Sequence, residues 1–335
     1  MATTAPARPV IDAHAHLLGL DREGSGCVVS RAMRRRISTR FVLGRIGASP
    51  GDPPADVDRR YLDHLFANLD ASPSVDRVVL LALDGVVGPD GRIDEDRTHL
   101  LVPNDLVFRV AAMHPKLLPA CSVNPLRADA VAELDRCAAR GAVLVKWIPA
   151  SMGFDPADPR CAPFLARCAA LGMPVLSHVG TEMAVTTVRA ADGVLGSLFP
   201  ALEAGVRVVV PHAGSLKFLG DAKDWAGLLE AMGRFPGLWL DDSALLMAHR
   251  RRRLRRLLAA EGIHDRVIHG SDFPLPAQPL AFVDLVGFRR ARAISRIPGA
   301  FEKDVALKEA LGVPSSFLRN GDRILRLSPP RSTRP

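Results

Sequence analysis

The chain has 335 residues, is 48% hydrophobic and 24% charged, and carries a formal net charge of +8. That length is long for an ordinary domain and usual for one α/β barrel with insertions, and the composition supports a large core in a soluble protein. No apolar run reaches the roughly eighteen residues of a membrane span, no basic n-region precedes an apolar h-region at the start, and no zinc finger or RNP box accompanies the basic charge, so a membrane, a secretory route and nucleic acid are not expected partners.

Residues 1–9 read as an N-terminal extension, and the first strand follows as VIDAHAHL (10–17). Residues 18–56, rich in Gly, Arg and Pro, interrupt the pattern as an inserted loop. Further short apolar runs come at VVLLALDGV (78–86), LPACSVNP (118–125), AVLVKWIP (142–149), PVLSHVG (174–180), RVVVPHAGS (207–215), LWLDDSAL (238–245) and RVIHGSDFP (266–274). Continuous apolar runs suit strands covered on both faces, as in parallel sheets. From the fourth run the starts recur about every 30 residues, the size of one βα unit. The intervening segments have helical periodicity, as in AVAELDRCAARG (130–141) and PFLARCAALG (163–172), each ending on a glycine suited to a C′ position. Eight such units predict a single (β/α)8 TIM barrel over residues 10–327. The segments 18–56 and 275–300 should emerge at the C-terminal face, and 328–335 (SPPRSTRP) reads as a disordered tail.

Chemistry-bearing residues collect at one end of these strands. His14 and His16 close the first run, Lys146 the fourth, His178 the fifth, His212 the sixth and Asp272 the eighth. In a strand, residues i and i+2 share a face, so His14 and His16 can hold one ion. Imidazole and carboxylate suit Zn²⁺ first, and also Mn²⁺ and Fe²⁺. Each residue alone has a plainer reading: a hydrogen-bonded core histidine, a turn-capping Asp272, a snorkelling Lys146. Six of them at the same end of five strands point instead to one or two divalent metal ions at the barrel mouth. Trp147 alternates to the opposite face and should pack against a helix. Thr181 and Glu182 follow His178 and could cap a helix or touch substrate, and Lys217 is expected in solvent.

The set Asp12-Ala13-His14-Ala15-His16, His178, His212 and Gly270-Ser271-Asp272-Phe273-Pro274 resembles the amidohydrolase superfamily, in the branch of aminocarboxymuconate semialdehyde decarboxylase and related metal-dependent hydrolases. Segments SVNP (122–125) and NGDRIL (320–325) are similar to that branch as well. The resemblance implies that His14, His16, His178 and Asp272 bind a first metal. It implies that His212 is either a catalytic acid/base or a ligand to a second metal, and that Lys146, if carboxylated, bridges two ions. The intact His-x-His leans away from those aromatic-acid decarboxylases that replace the first His by Glu.

These residues predict a metal-dependent hydrolase acting on a small, carbonyl-containing, anionic substrate, with Asp272 and His212 as catalytic groups. A decarboxylase or hydratase is the alternative, and an iron-dependent oxygenase or a non-catalytic barrel are the remaining readings. The arginine-rich stretch RAMRRRISTR (31–40) suits either an anionic substrate or a solvated helix face, whereas HRRRRLRR (249–256) reads as a solvated helix face. Only six of the 44 basic residues are Lys, a skew of the kind coding-DNA composition produces. Five cysteines without a CxxC pair fit a reducing, cytoplasmic setting. Barrels of this size commonly associate, so a homo-oligomer is a further expected partner state.

Overall fold

The computed structural model describes residues 8–180, 185–189, 194–214 and 221–327, and for 221–223 the backbone alone. Thr181, Glu182, Lys217 and the tail 328–335 lie outside the described residues. Each of the eight apolar runs holds one strand, two of them starting one residue early: β1 (Ile11–His16), β2 (Arg77–Leu81), β3 (Leu117–Pro119), β4 (Val145–Trp147), β5 (Val175–Ser177), β6 (Val208–Val210), β7 (Leu238–Asp241) and β8 (Val267–Ile268). A helix follows every strand: α1 (Pro54–Asp70), α2 (Asn104–Ala111), α3 (Ala130–Ala139), α4 (Ala162–Ala170), α5 (Phe199–Glu203), α6 (Asp221–Arg234), α7 (Arg251–Ala259) and α8 (Ala300–Ala310). The glycines expected to stop α3 and α4, Gly141 and Gly172, have φ of 89° and 60°, a left-handed turn that a Cβ would disfavour.

All pairs among these eight strands are parallel. β1, β2 and β3 form one ladder, and β4 to β8 form the other. The bridges Cys121 to Val145 and Ala15 to Phe273 join the two ladders into a closed ring. The fold is therefore the expected (β/α)8 barrel.

Alternation along the strands sorts the core into two layers. Val79, Leu81, Leu144, Leu176, Val209 and Ile268 fill the barrel. Val78, Leu80, Val145, Val175, Val208 and Leu240 pack outward against the helices. Trp147 follows the same rule. It is fully buried, donates its indole N–H to the Val123 carbonyl at 2.8 Å, and packs against Phe154 and Phe164. Ile324 and Leu325 join the inner layer, so the segment after α8 closes the N-terminal end of the barrel.

β1 departs from simple alternation. Its register with β2 slips between Asp12 and Ala15. Ile11 and Ala13 belong to the inner layer, but Ala15 belongs to the outer one. A bulge of this kind re-aims the side chains beyond it. Without it, His14 and His16 would share the face opposite Ala13 and point out toward the helices. With it, they line the barrel mouth.

The insertion 18–56 has structure of its own. It holds the short helices Arg31–Arg34 and Ile37–Arg45, and its Val28–Val29 forms a small antiparallel ladder with Leu100–Leu101. Leu20, Met33, Val42 and Leu43 from it line the cavity above the barrel, so it roofs the C-terminal face. No helix among the described residues is long and apolar enough to cross a membrane.

Candidate functional site

The C-terminal ends of β1, β4, β6, β7 and β8 meet beneath a cavity of about 730 Å³, lined at its floor by His14, His16, Lys146, His212 and Asp272. His14 Nε2 lies 3.2 Å from His16 Nε2, and Asp272 Oδ1 lies 3.1 Å from His16 Nε2 and 3.5 Å from His14 Nε2. Ligands about 2.0–2.2 Å from a tetrahedral Zn²⁺ are separated from one another by roughly 3.3 Å, so this triangle fits the edge lengths of a coordination shell. Two imidazole nitrogens facing each other at van der Waals distance, both beside a buried carboxylate, also form a donor set that a shared cation satisfies. Lys146, buried on β4, places Nζ 3.4 Å from His14 Nε2.

His212 stacks on His14 with ring centroids 5.3 Å apart. His178 packs edge-on against His212 at 5.5 Å and belongs to neither group of convergent ligand atoms, His14–His16–Asp272 or His14–His212–Asp241. Five of the six expected site residues thus line one floor, and His178 stands behind His212.

Two of the site residues sit in costly backbone. His212 has φ of 57° and Asp272 has φ of 65°, the left-handed region that non-glycine residues avoid by about 1–2 kcal/mol. Each is held by a specific bond. The His212 N–H donates to Asp241 Oδ1 at 2.7 Å, and the Asp272 N–H donates to the His14 carbonyl at 2.8 Å. Strain of this kind collects where a side chain must be aimed. Close approach matters at Gly270, where a Cβ would lie 2.7 Å from His14 Cβ and 2.9 Å from Ser243 Cβ.

Asp241, at the end of β7, is a site residue that the sequence pattern did not single out. It is fully buried, and its Oδ2 lies 2.7 Å from His14 Nδ1. A carboxylate on one ring nitrogen fixes the tautomer and leaves the other for a metal, so His14 presents Nε2 to the floor and Asp241 serves as its orienting partner. Ser243 completes this support. Its hydroxyl donates to Asp241 and lies 2.8 Å from His212 Nδ1. The signal was present in Leu240-Asp241-Asp242-Ser243, two adjacent acids at the end of an otherwise apolar strand.

Electrostatics sharpen these roles. Burial pushes the Asp272 carboxyl up, but its histidine surroundings, including the hydrogen bond to His16, outweigh it and hold the group well below the usual carboxylate range. Burial lowers His212 well below the ordinary imidazole value, and the neighbouring Arg250 guanidinium lowers it further. Burial also lowers His16, partly opposed by Asp272. Asp272 is therefore ionised and His212 neutral at physiological pH.

Behind the floor lies a second buried ionic cluster. Lys308 of α8 places Nζ 2.7 Å from Asp242 Oδ1, 2.8 Å from Asp304 Oδ1 and 2.8 Å from the Gly270 carbonyl. It ties α8 to the turn that carries Asp272.

The two arginine-rich stretches divide their side chains between solvent and the interior. In 31–40, Arg31, Arg35 and Arg40 are exposed, and among the arginines of this stretch Arg36 lines the cavity. The stretch 249–256 is not one solvated face. His249 and Arg250 precede α7 and line the cavity, and Arg253 is buried with its guanidinium 5.0 Å from the Trp225 ring centre. The helical turn rotates that side chain inward, where the aromatic face receives it.

A family model for amidohydrolases matches residues 11–311. The chain belongs to the amidohydrolase family. Among solved structures, this amidohydrolase is similar to a putative 2-pyrone-4,6-dicarboxylic acid hydrolase from Pseudomonas putida, with 22% identity, coverage of 95% of each chain and a TM-score of 0.52. It is also similar to a probable hydrolase of the same description from Acinetobacter baumannii, with 15% identity, coverage of 94% and 98% and a TM-score of 0.52. A 5-carboxyvanillate decarboxylase from Sphingomonas paucimobilis shares 16% identity over 96% of this amidohydrolase and 100% of that chain, with a TM-score of 0.50. At these identities the likeness shows a shared fold. None of the curated proteins matches the chain in sequence. Amidohydrolases of this family are metal-dependent hydrolases or decarboxylases, and the His/Asp floor is the corresponding candidate metal site.

Proposed function

We propose that this amidohydrolase is a metal-dependent hydrolase acting on a small carbonyl compound. The observation that carries the reading is the convergence of His14 Nε2, His16 Nε2 and Asp272 Oδ1 within 3.1–3.5 Å of one another at the barrel mouth. Zn²⁺ is the first candidate for these donors, with Mn²⁺ and Fe²⁺ next. A carboxylated Lys146 together with His212 would complete a second ion's site, whereas an unmodified Lys146 leaves one ion and frees His212 for substrate. When bound, the ion would polarise the substrate carbonyl and lower the pKa of a neighbouring water.

The residues do the rest. Asp272, held ionised, takes a proton at its carboxylate and delivers it to the leaving group. The Ser243 hydroxyl donates its hydrogen bond to Asp241, and the Ser243 carbonyl lies 3.1 Å from His212 Nδ1 as an acceptor, so Nδ1 carries the ring proton and Nε2 keeps a lone pair. That makes His212 a base or a ligand rather than an oxyanion donor. Arg250, on the cavity wall beside His212, supplies positive charge for the developing oxyanion. Five buried, free thiols suit a cytoplasmic enzyme.

The same Arg250 supports a second reading, decarboxylation or hydration of a carboxylic acid, because it could hold a carboxylate next to the proton-transfer groups. Metal-reconstituted protein assayed on esters, lactones, amides and carboxylic acids separates the two. Hydrolysis is the expected outcome, and Asp272→Asn should lower it about 10²–10⁴-fold. Release of CO2 without hydrolysis would replace the first reading by the second. Turnover of no class would overturn both.

A further inference from the structure

Above the polar floor the cavity walls are mostly apolar, with Ser38, Thr39, Tyr61, His249 and Gln278 as neutral polar exceptions. Leu20, Met33, Val42 and Leu43 contribute from the roof, Ile148 from the loop after β4, and Met247 from the loop before α7. At the rim, Ile37 is 85% and Phe41 46% exposed, and both line the same cavity. They stand four residues apart on the helix Ile37–Arg45, so they share a face, and that face has no protein cover of its own. Charged groups are sparse by comparison. Above the floor, the guanidinium groups among the described lining residues are those of Arg36 and Arg250, and Asp58 adds a carboxylate that is occupied with the N–H groups of Leu20 and Asp21.

Such a wall is costly to a polyanion, which would lose hydration without gaining enough partners. It favours a molecule that presents one polar head to the floor and an apolar body to the roof. A volume of about 730 Å³ is within the range of sites that enclose a drug-sized ligand, and is larger than a compact acid of a few carbons needs.

We propose that the substrate is an apolar-bodied carbonyl compound, with an extended alkyl or aryl-alkyl portion and at most one charged group beside the reacting carbonyl, its body lying under Met33, Val42 and Leu43 and reaching the Ile37–Phe41 rim. The proposal rests on the reading of the floor as the reaction centre. It moves the weight of recognition away from the anionic character that the arginine-rich stretch 31–40 could serve, because the apolar residues of that segment line the cavity and most of its arginines are exposed.

The test is a binding series. Straight-chain monocarboxylates from acetate to decanoate, kept below their micelle concentrations, are titrated by calorimetry into metal-loaded and metal-free protein, with citrate as the polyanionic comparison. Affinity should rise about fourfold for each added CH2 group, as full apolar burial implies, and should exceed that for citrate from the mid-length acids onward. Phe41→Asp, at an exposed position, should flatten the dependence for the longest chains while leaving metal content per chain unchanged. A flat series on protein that holds its metal, or citrate as the tightest ligand, overturns this proposal alone. A rising series on protein that takes up no metal overturns the metal-enzyme reading and leaves the apolar site standing.

Discussion

His14 shows how much one side chain depends on its neighbours. Its Nε2 faces His16 and Asp272, while Nδ1 faces Asp241 at 2.7 Å. Asp241→Asn should keep the fold and weaken metal binding about 10–100-fold, measured by competition with a chromogenic chelator, because the ring loses the charge that fixes its tautomer. An unchanged affinity would show that Asp241 has no part in orienting His14. The floor itself was legible in sequence, since His14, His16, Lys146, His212 and Asp272 all stand at strand ends. Asp241 was hidden because a carboxylate in an apolar strand has the same local pattern whether it caps a turn or supports a ligand. Lys308 was hidden for a different reason. It reaches Asp242 across 66 residues of sequence, a contact that no local period reveals.

Elements place these residues, and the bulge in β1 does most of the placing. The alternation that correctly pairs His14 with His16 would also put both on the wrong face, and the register slip before Ala15 corrects this. Nothing in the run VIDAHAHL announces the slip, since it depends on pairing with β2 and β8. The inserted segment 18–56 was legible as an insertion, but not as a roof, because the apolar residues of its helix Ile37–Arg45 are spread around the helix, Ile37 and Phe41 on one face and Val42 and Leu43 beside it, with no single core-facing side. α8 acts at a distance through Lys308. Burial works against this ammonium, but the charges of Asp242 and Asp304 outweigh it and raise its pKa. Lys308→Met would leave two carboxylates buried without their cation, and should destabilise the protein by about 3–5 kcal/mol in denaturant unfolding. A loss below about 1 kcal/mol would show that the cluster adds little to stability.

Across the whole molecule, eight regularly spaced apolar runs were enough to foresee a closed barrel, because each run is buried on both faces and each linker is long enough for one helix. All five cysteines are buried. Burial pushes the Cys27 thiol up to about 11, and Cys161 and Cys168 up to about 12. Thiolate is the reactive form, and at pH 8 these groups lie far below the pKa at which it appears. A thiol-specific chromogenic reagent should therefore titrate no cysteine in the native protein and all five in denaturant, and rapid reaction of native protein would contradict the packing. Whether the barrel mouth is a metal centre is decided by the metal content of protein purified without chelator and after reconstitution. One or two divalent ions per chain are expected, one if Lys146 is unmodified and two if it is carboxylated, with uptake lost in a His14→Ala, His16→Ala double variant. A correctly folded chain that binds no divalent ion under either condition would contradict a metal centre there.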